Sequence, residues 1–181
     1  MATIAAVVRA DDELSLTELV VLALLVEGPS HGFAISKALR PETDLGRVLT
    51  VHRPVVYRSL DRLVTASLAE SRGIERGAGG PERTVLRATR RGRSAVDRWL
   101  DRPVDHVRDL RIEFLIKLRL NQRRGRPLDV VVEAQRRSLA ATLAGLAAGS
   151  GADVVDRWRR QNAIAAQAFL DELAGGVTSP G

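Results

Sequence analysis

The chain has 181 residues, 45% of them hydrophobic and 28% charged, a balance that supports a folded core and excludes a low-hydrophobicity disordered polymer. It contains no cysteine, which removes disulfides, thiolate nucleophiles, iron–sulfur clusters and zinc ribbons from consideration. Net charge is +6 and unevenly spread: residues 1–46 hold three basic and seven acidic side chains, whereas residues 47–98 hold twelve arginines and five acids. Of the 28 basic residues 26 are Arg, whose planar fork of donors suits phosphates and base edges. No apolar run approaches the roughly 20 residues of a bilayer span. No Lys or Arg precedes the short Ile4–Val8 run as it would in a signal peptide, so a cytoplasmic protein is expected.

The first predicted element is a helix over Leu14–Glu27, apolar on nearly every side and therefore packed between neighbours. Ser15 and Glu18 form a capping-box pattern at its start, and Gly28-Pro29 stop it. Ser30 is a cap for a second helix over His31–Arg40, with Phe33, Ile35, Ala38 and Leu39 apolar, Ser36, Lys37 and Arg40 outward, and Pro41 ending it. After a connector over 42–52, Pro54 sits in the first turn of a third helix. Val56, Leu60, Leu63 and Val64 make its buried stripe, and Arg53, Tyr57, Arg58, Asp61 and Arg62 its outer face. Leu68–Arg72 and Thr84–Ala88 read as short strands around the Gly-rich loop Gly73–Glu82. Thr89 caps a helix that buries Ala95, Val96, Trp99 and Leu100 before Pro103.

A further helix is predicted from Val107 through Ile112, Leu115, Leu118 and Leu120 to the break at Arg123–Pro127. Two long amphipathic helices follow, with stripes Leu128, Val132, Gln135, Leu139, Leu143, Leu146 and Val155, Trp158, Asn162, Ala165, Phe169, Leu173. Gly149-Ser150-Gly151 is the turn between them and Asp153 a cap. The single polar member of each stripe, Gln135 or Asn162, marks either a solvated edge or a register-setting contact. The tail from Gly175 to Gly181 is expected to be disordered.

Helix, helix, helix, strand, loop, strand, helix, with positive charge on the third helix and the hairpin, is the order of a winged helix-turn-helix. The expected fold is mainly α with a small β-hairpin wing, over 14–103, after an N-terminal extension over 1–13 and before a helical dimerisation domain over 104–174. The third helix would enter the major groove of double-stranded DNA, and the loop would reach phosphates or the adjacent minor groove. Arg53, Tyr57, Arg58 and Arg62 are the candidates to read and anchor the major groove, with Lys37 beside them and Arg76 and Arg83 holding the wing on the backbone. Tyr57 has the alternative of a half-buried ring closing the core, and the arginines that of a solvated helix face. A winged domain of this size does not need two more amphipathic helices, so their stripes favour a homodimer, with burial within the same chain as the alternative. Leu16, Leu19, Val155, Trp158, Phe169 and Leu173 are its candidate contacts.

These motifs together resemble the PadR family of transcriptional regulators. The resemblance rests on the apolar first helix running into Gly28-Pro29, on His31-Gly32-Phe33, on Val56-Tyr57-Arg58-Ser59-Leu60-Asp61-Arg62-Leu63, and on Thr89-Arg90-Arg91-Gly92. It covers residues 14–100 well; Arg108–Leu118, with Glu113-Phe114-Leu115, and the last 60 residues also look like the family. It implies a homodimer on a pseudo-palindromic operator, usually a repressor, released by a small molecule where an effector is known. Two departures are Ser67, where the family commonly has Gly, and His52-Arg53-Pro54 in place of a small polar N-cap.

Other classes fit less well. His31, His52 and His106 lie on separate elements with no acidic pair at metal-ligand or triad spacing, so no metal, cofactor or catalytic residue is expected, and His31 reads as a structural contact at a helix start. A winged-helix adaptor that binds protein rather than DNA is the rival, and the concentration of charge on the third helix and wing weighs against it. Trp99 and Trp158 are candidates to line an effector pocket, with burial in the core as the competing reading.

Overall fold

The computed structural model of the protein describes residues 14–76, 82–149 and 153–177. The expected N-terminal extension, the tip of the Gly-rich loop and the last four residues lie outside them. The chain divides into two compact units between Leu100 and Asp101.

In the first unit, α1 (Leu16–Glu27) begins on the expected capping box: the Glu18 amide donates to Ser15 Oγ and the Ser15 amide to Glu18 Oε2, at 3.3 and 2.8 Å. Every residue from Leu19 to Leu25 is buried, as an all-round apolar helix requires. α2 (Gly32–Ala38) starts one residue later than expected, because His31 rather than Ser30 is the cap, its Nδ1 accepting from the Ala34 amide at 3.1 Å. Ser30 is held extended instead by paired backbone bonds with Leu86, at 2.9 and 2.8 Å. α2 stops at Ala38, and Leu39, expected inside the helix, is its fully buried C-cap.

α3 (Arg53–Thr65) carries Pro54 in its first turn. It is followed by a hairpin of β1 (Ala69–Arg76) and β2 (Glu82–Ala88), paired antiparallel from Ala69↔Ala88 to Arg76↔Glu82 with a bulge between Ser71 and Gly73. Both strands are longer than expected. Gly73–Arg76, expected in the loop on glycine content, continue the ladder because a bulge absorbs the extra residue Arg72 and Gly73, at φ +147°, resumes the pairing opposite Val85. α4 (Arg90–Asp101) completes the unit with Ala95, Val96, Trp99 and Leu100 buried as expected.

Ser67 leaves α3 in the left-handed region, with φ +57°. This strain costs an L-residue about 1 kcal/mol. Replacing Ser67 by Gly is expected to raise stability by about 0.5 kcal/mol, the relief being partly offset by the greater unfolded-state freedom of glycine. A higher urea midpoint at unchanged slope is the readout.

In the second unit the helix expected from Val107 is divided into a 3₁₀ turn (Val107–Arg111) and α5 (Glu113–Arg123), with Ile112 between them at φ −119° and ψ −65°. Phe114, Ile116, Leu118 and Leu120 are buried, whereas Ile112 and Leu115 of the expected stripe are only half-buried. The buried Lys117 donates to the Arg102 carbonyl and pairs with Glu113 Oε1, each at 2.8 Å. Burial pushes its ammonium pKa below the ordinary lysine value, with Glu113 opposing the shift.

α6 (Asp129–Ala147) presents Val132, Gln135, Leu139 and Leu143 to the core as predicted. The amide of Gln135 accepts from Val104 N and donates to Val104 O, at 2.8 and 3.0 Å, so its polarity serves a buried contact with an irregular segment. α7 (Val154–Val177) packs against α6, with Ala163 and Leu170 buried in their shared core and Ala166, Phe169 and Leu173 partly buried against it. The predicted stripe is therefore rotated: Val155 and Trp158 are exposed, and Asn162 donates within the helix to the Trp158 carbonyl. α7 also runs through Gly175 and Gly176, where a disordered tail was expected.

Candidate nucleic-acid interface

Burial of Val56, Ser59, Leu60 and Leu63 on one side of α3 turns Arg53, Tyr57, Arg58, Asp61 and Arg62 to solvent. Ser59 takes the inward position expected of Val64, which is 42% exposed on the flank of the helix. Arg58 forms no ion pair among the described residues. Arg62 is partly committed: its Nη1 lies 3.0 Å from Oε1 of the buried Glu18, so the carboxylate that closes the α1 capping box also fixes a guanidinium on α3.

Arg53 stacks its guanidinium 5.4 Å from the Tyr57 ring centroid and 5.6 Å from that of Phe33. The Phe33 ring, half-buried at the start of α2, also carries Arg83 of β2 at 4.9 Å and Lys37 at 5.5 Å. Cations from α2, α3 and the hairpin thus converge on one aromatic ring. Tyr57 is 40% exposed and packs on Gly32, where an added Cβ would lie 2.8 Å from the ring, so the glycine of His31-Gly32-Phe33 is what lets α2 approach α3 this closely.

These side chains border a cleft of about 850 Å³ between α3 and the hairpin, lined by Phe33, Arg53, Tyr57, Val64, Arg83 and Leu86 among others. On the hairpin, Arg87 is neutralised by Glu70 at 2.8 Å. The backbone of Arg76 pairs with Glu82, and the loop beyond it lies outside the described residues.

Of the residues predicted to touch DNA, Arg53, Tyr57 and Arg83 line the cleft and Lys37 joins them through Phe33; Arg58 and Arg62 lie on the exposed side of α3. Sequence reasoning missed Phe33, assigned only to the inner face of α2, and Glu18 as the partner of Arg62. The signal for Phe33 was its place after His31-Gly32; nothing in the sequence pointed from Glu18 to Arg62. Of the predicted dimer contacts, Leu16 is half-buried, Leu19 is buried in the first unit, Phe169 and Leu173 pack on the core of the second, and Val155 and Trp158 are exposed. Trp99 is 1% exposed and Trp158 70%, and neither lines the cleft. No described helix is long and apolar enough to cross a membrane.

No curated protein matches the chain in sequence. Among solved structures it is similar to Bacillus subtilis PadR in complex with operator DNA, at 16% identity and a TM-score of 0.48, over 90% of this chain and 99% of that one. It is also similar to Bacillus subtilis PadR in complex with p-coumaric acid, at 17% identity and a TM-score of 0.44, over 91% of this chain and 100% of that one. The family model of the transcriptional regulator PadR-like family matches residues 21–98, from within α1 to within α4, spanning every element that borders the cleft. Over residues 21–98 the winged-helix unit is thus similar to the transcriptional regulator PadR-like family.

Proposed function

We propose that the protein is a sequence-specific DNA-binding regulator that acts as a homodimer on a pseudo-palindromic operator, as a repressor that a small molecule releases. The observation that carries the DNA reading is the set of arginines on α3 and the hairpin, the exposed Arg53 and Arg58 and the half-buried Arg83, none of which is neutralised by a carboxylate among the described residues. In this reading α3 lies in the major groove, Arg58 reads a base edge, and Arg53, Arg83 and Arg76 hold phosphates. The repressor and effector roles are those the family resemblance implies. The test is a fluorescence-anisotropy titration with the upstream DNA of its own gene and with scrambled DNA across a salt series. Preferential, salt-sensitive binding is expected, and Arg58→Ala should cost about 1–3 kcal/mol with relaxed discrimination at one position. Equal weak binding to both duplexes, followed by failed selection from random DNA, would favour the protein-binding adaptor.

The homodimer reading is supported by α7, which exposes Val154, Val155 and Trp158 together, at 78, 50 and 70%. An exposed Trp beside two exposed valines one turn earlier has the character of an interface anchor. Trp158→Ser is expected to weaken self-association by about 2 kcal/mol or more, some thirtyfold, in sedimentation equilibrium. Unchanged self-association would remove α7 from the interface.

A further inference from the structure

We propose that Phe33 is a positioning residue for DNA binding: its ring gathers Arg53, Arg83 and Lys37 into one composite site that seats a backbone phosphate diester between α3 and the hairpin. The inference rests on the DNA-binding reading above and adds a residue and a subsite to it. The three cations belong to α2, α3 and β2, yet their charged groups all lie within 5.6 Å of one ring centroid. The negative face of the ring attracts each of them, but three like charges brought together also repel one another. Among the described residues none of the three forms an ion pair. An anion entering between them would complete the charge balance that the ring supplies only in part.

The location of the site suits a DNA phosphate, although Asp61 and Glu82 also line the cleft on which it opens. The site opens on the cleft between α3 and the hairpin, with the Tyr57 hydroxyl 3.5 Å from Arg53 Nη2 and the exposed Arg58 on the same helix. A phosphate there is contacted by the groove-entering helix and by the wing at once, so it fixes the angle between them. Phosphate contacts of this kind set register and orientation without reading sequence. Phe33 itself needs no contact with DNA; it determines where Arg53 and Arg83 stand before DNA arrives, which reduces the ordering they undergo on binding.

The test compares wild type, Phe33→Leu, Phe33→Tyr and Arg83→Met in anisotropy titrations across a salt series, on the duplex the wild type prefers, with folding checked by circular dichroism. Leu keeps the apolar bulk and removes the aromatic face; Tyr keeps both. Phe33→Leu should weaken binding about tenfold and lower the salt slope by about 1 to 2, because each lost phosphate contact removes about 0.9 from it. Arg83→Met should lower the slope by about 1, and Phe33→Tyr should match wild type in slope. In the double variant Phe33→Leu/Arg83→Met the losses should be less than multiplicative, since the ring acts partly through Arg83. A folded Phe33→Leu with wild-type affinity and slope, or a Phe33→Tyr as weak as Phe33→Leu, would overturn the inference while DNA binding stands. If Phe33→Leu does not fold, an unchanged slope in Arg83→Met overturns it. A wild type that binds no duplex overturns the functional reading and this inference together.

Discussion

Replacing Gly92 by Ala is expected to destabilise the winged-helix unit by about 3 kcal/mol, at the upper end of overpacking costs. A Cβ on Gly92 would stand 2.1 Å from the Leu68 carbonyl oxygen and 3.1 Å from Leu22 Cδ1. The first obstacle is backbone, so no rotamer change relieves it. That carbonyl is fixed, accepting from the Thr89 amide at 2.9 Å, while Thr89 Oγ1 donates to the Ser67 carbonyl at 2.9 Å and accepts from the Gly92 amide at 3.1 Å. Moving α4 outward would break this junction and lift Ala95, Val96 and Trp99 out of the core. For a unit of this size the loss corresponds to a melting temperature lower by about 10–20 °C. Gly145→Ala is the control: nothing lies within 4 Å of its Cβ position in α6, and helix propensity predicts a gain of up to about 1 kcal/mol. Equal effects of the two substitutions in calorimetry would refute the steric argument.

Gln135→Leu is expected to cost the second unit about 3 kcal/mol. Gln135 is wholly buried, and its side-chain amide pairs with both the N–H and the C=O of Val104, itself 4% exposed. Leu fills the volume but leaves one donor and one acceptor unpaired, at about 1–3 kcal/mol each. Gln135→Glu separates hydrogen bonding from packing. An ionised carboxylate accepts from the Val104 amide but faces the Val104 carbonyl with no proton to give. A protonated carboxyl restores both bonds. Burial and the opposing carbonyl raise the folded-state pKa of that Glu above its unfolded value, so the variant is most stable below the unfolded pKa and loses stability as pH rises through the folded one. Wild type should lack this dependence. Urea midpoints of the two proteins at pH 4 and pH 7 decide it, and parallel behaviour would show that the amide is not holding Val104.

Much of the fold and part of the candidate interface were legible in the sequence. The capping box at Ser15, the burial of Leu19–Leu25, Pro54 in the first turn of α3 and the stripe from Val132 to Leu143 are local features, set by hydrogen bonds three residues apart or by helical period. The outward placement of Arg53, Arg58 and Arg62 follows from the same period once the buried stripe is recognised. The errors have a common character. Ser30 is a good cap by composition, but its backbone is engaged by Leu86, more than fifty residues away in sequence. The α7 stripe was assigned from large apolar residues, whereas the face against α6 uses Ala163 and Ala166, whose small size permits close packing and leaves Trp158 outside.

Local chain properties set which segments are helical, where most of them begin, that a hairpin follows the third helix and that positive charge collects on those two elements. These properties depend on neighbours a few residues apart, through capping, periodicity and turn chemistry. The packing of distant elements is what sets Phe33 against Arg53 and Arg83, Glu18 against Arg62, and Gln135 against Val104. Each joins side chains whose sequence separation carries no periodic signal, brought together when the apolar faces of α1, α3 and α6 are buried.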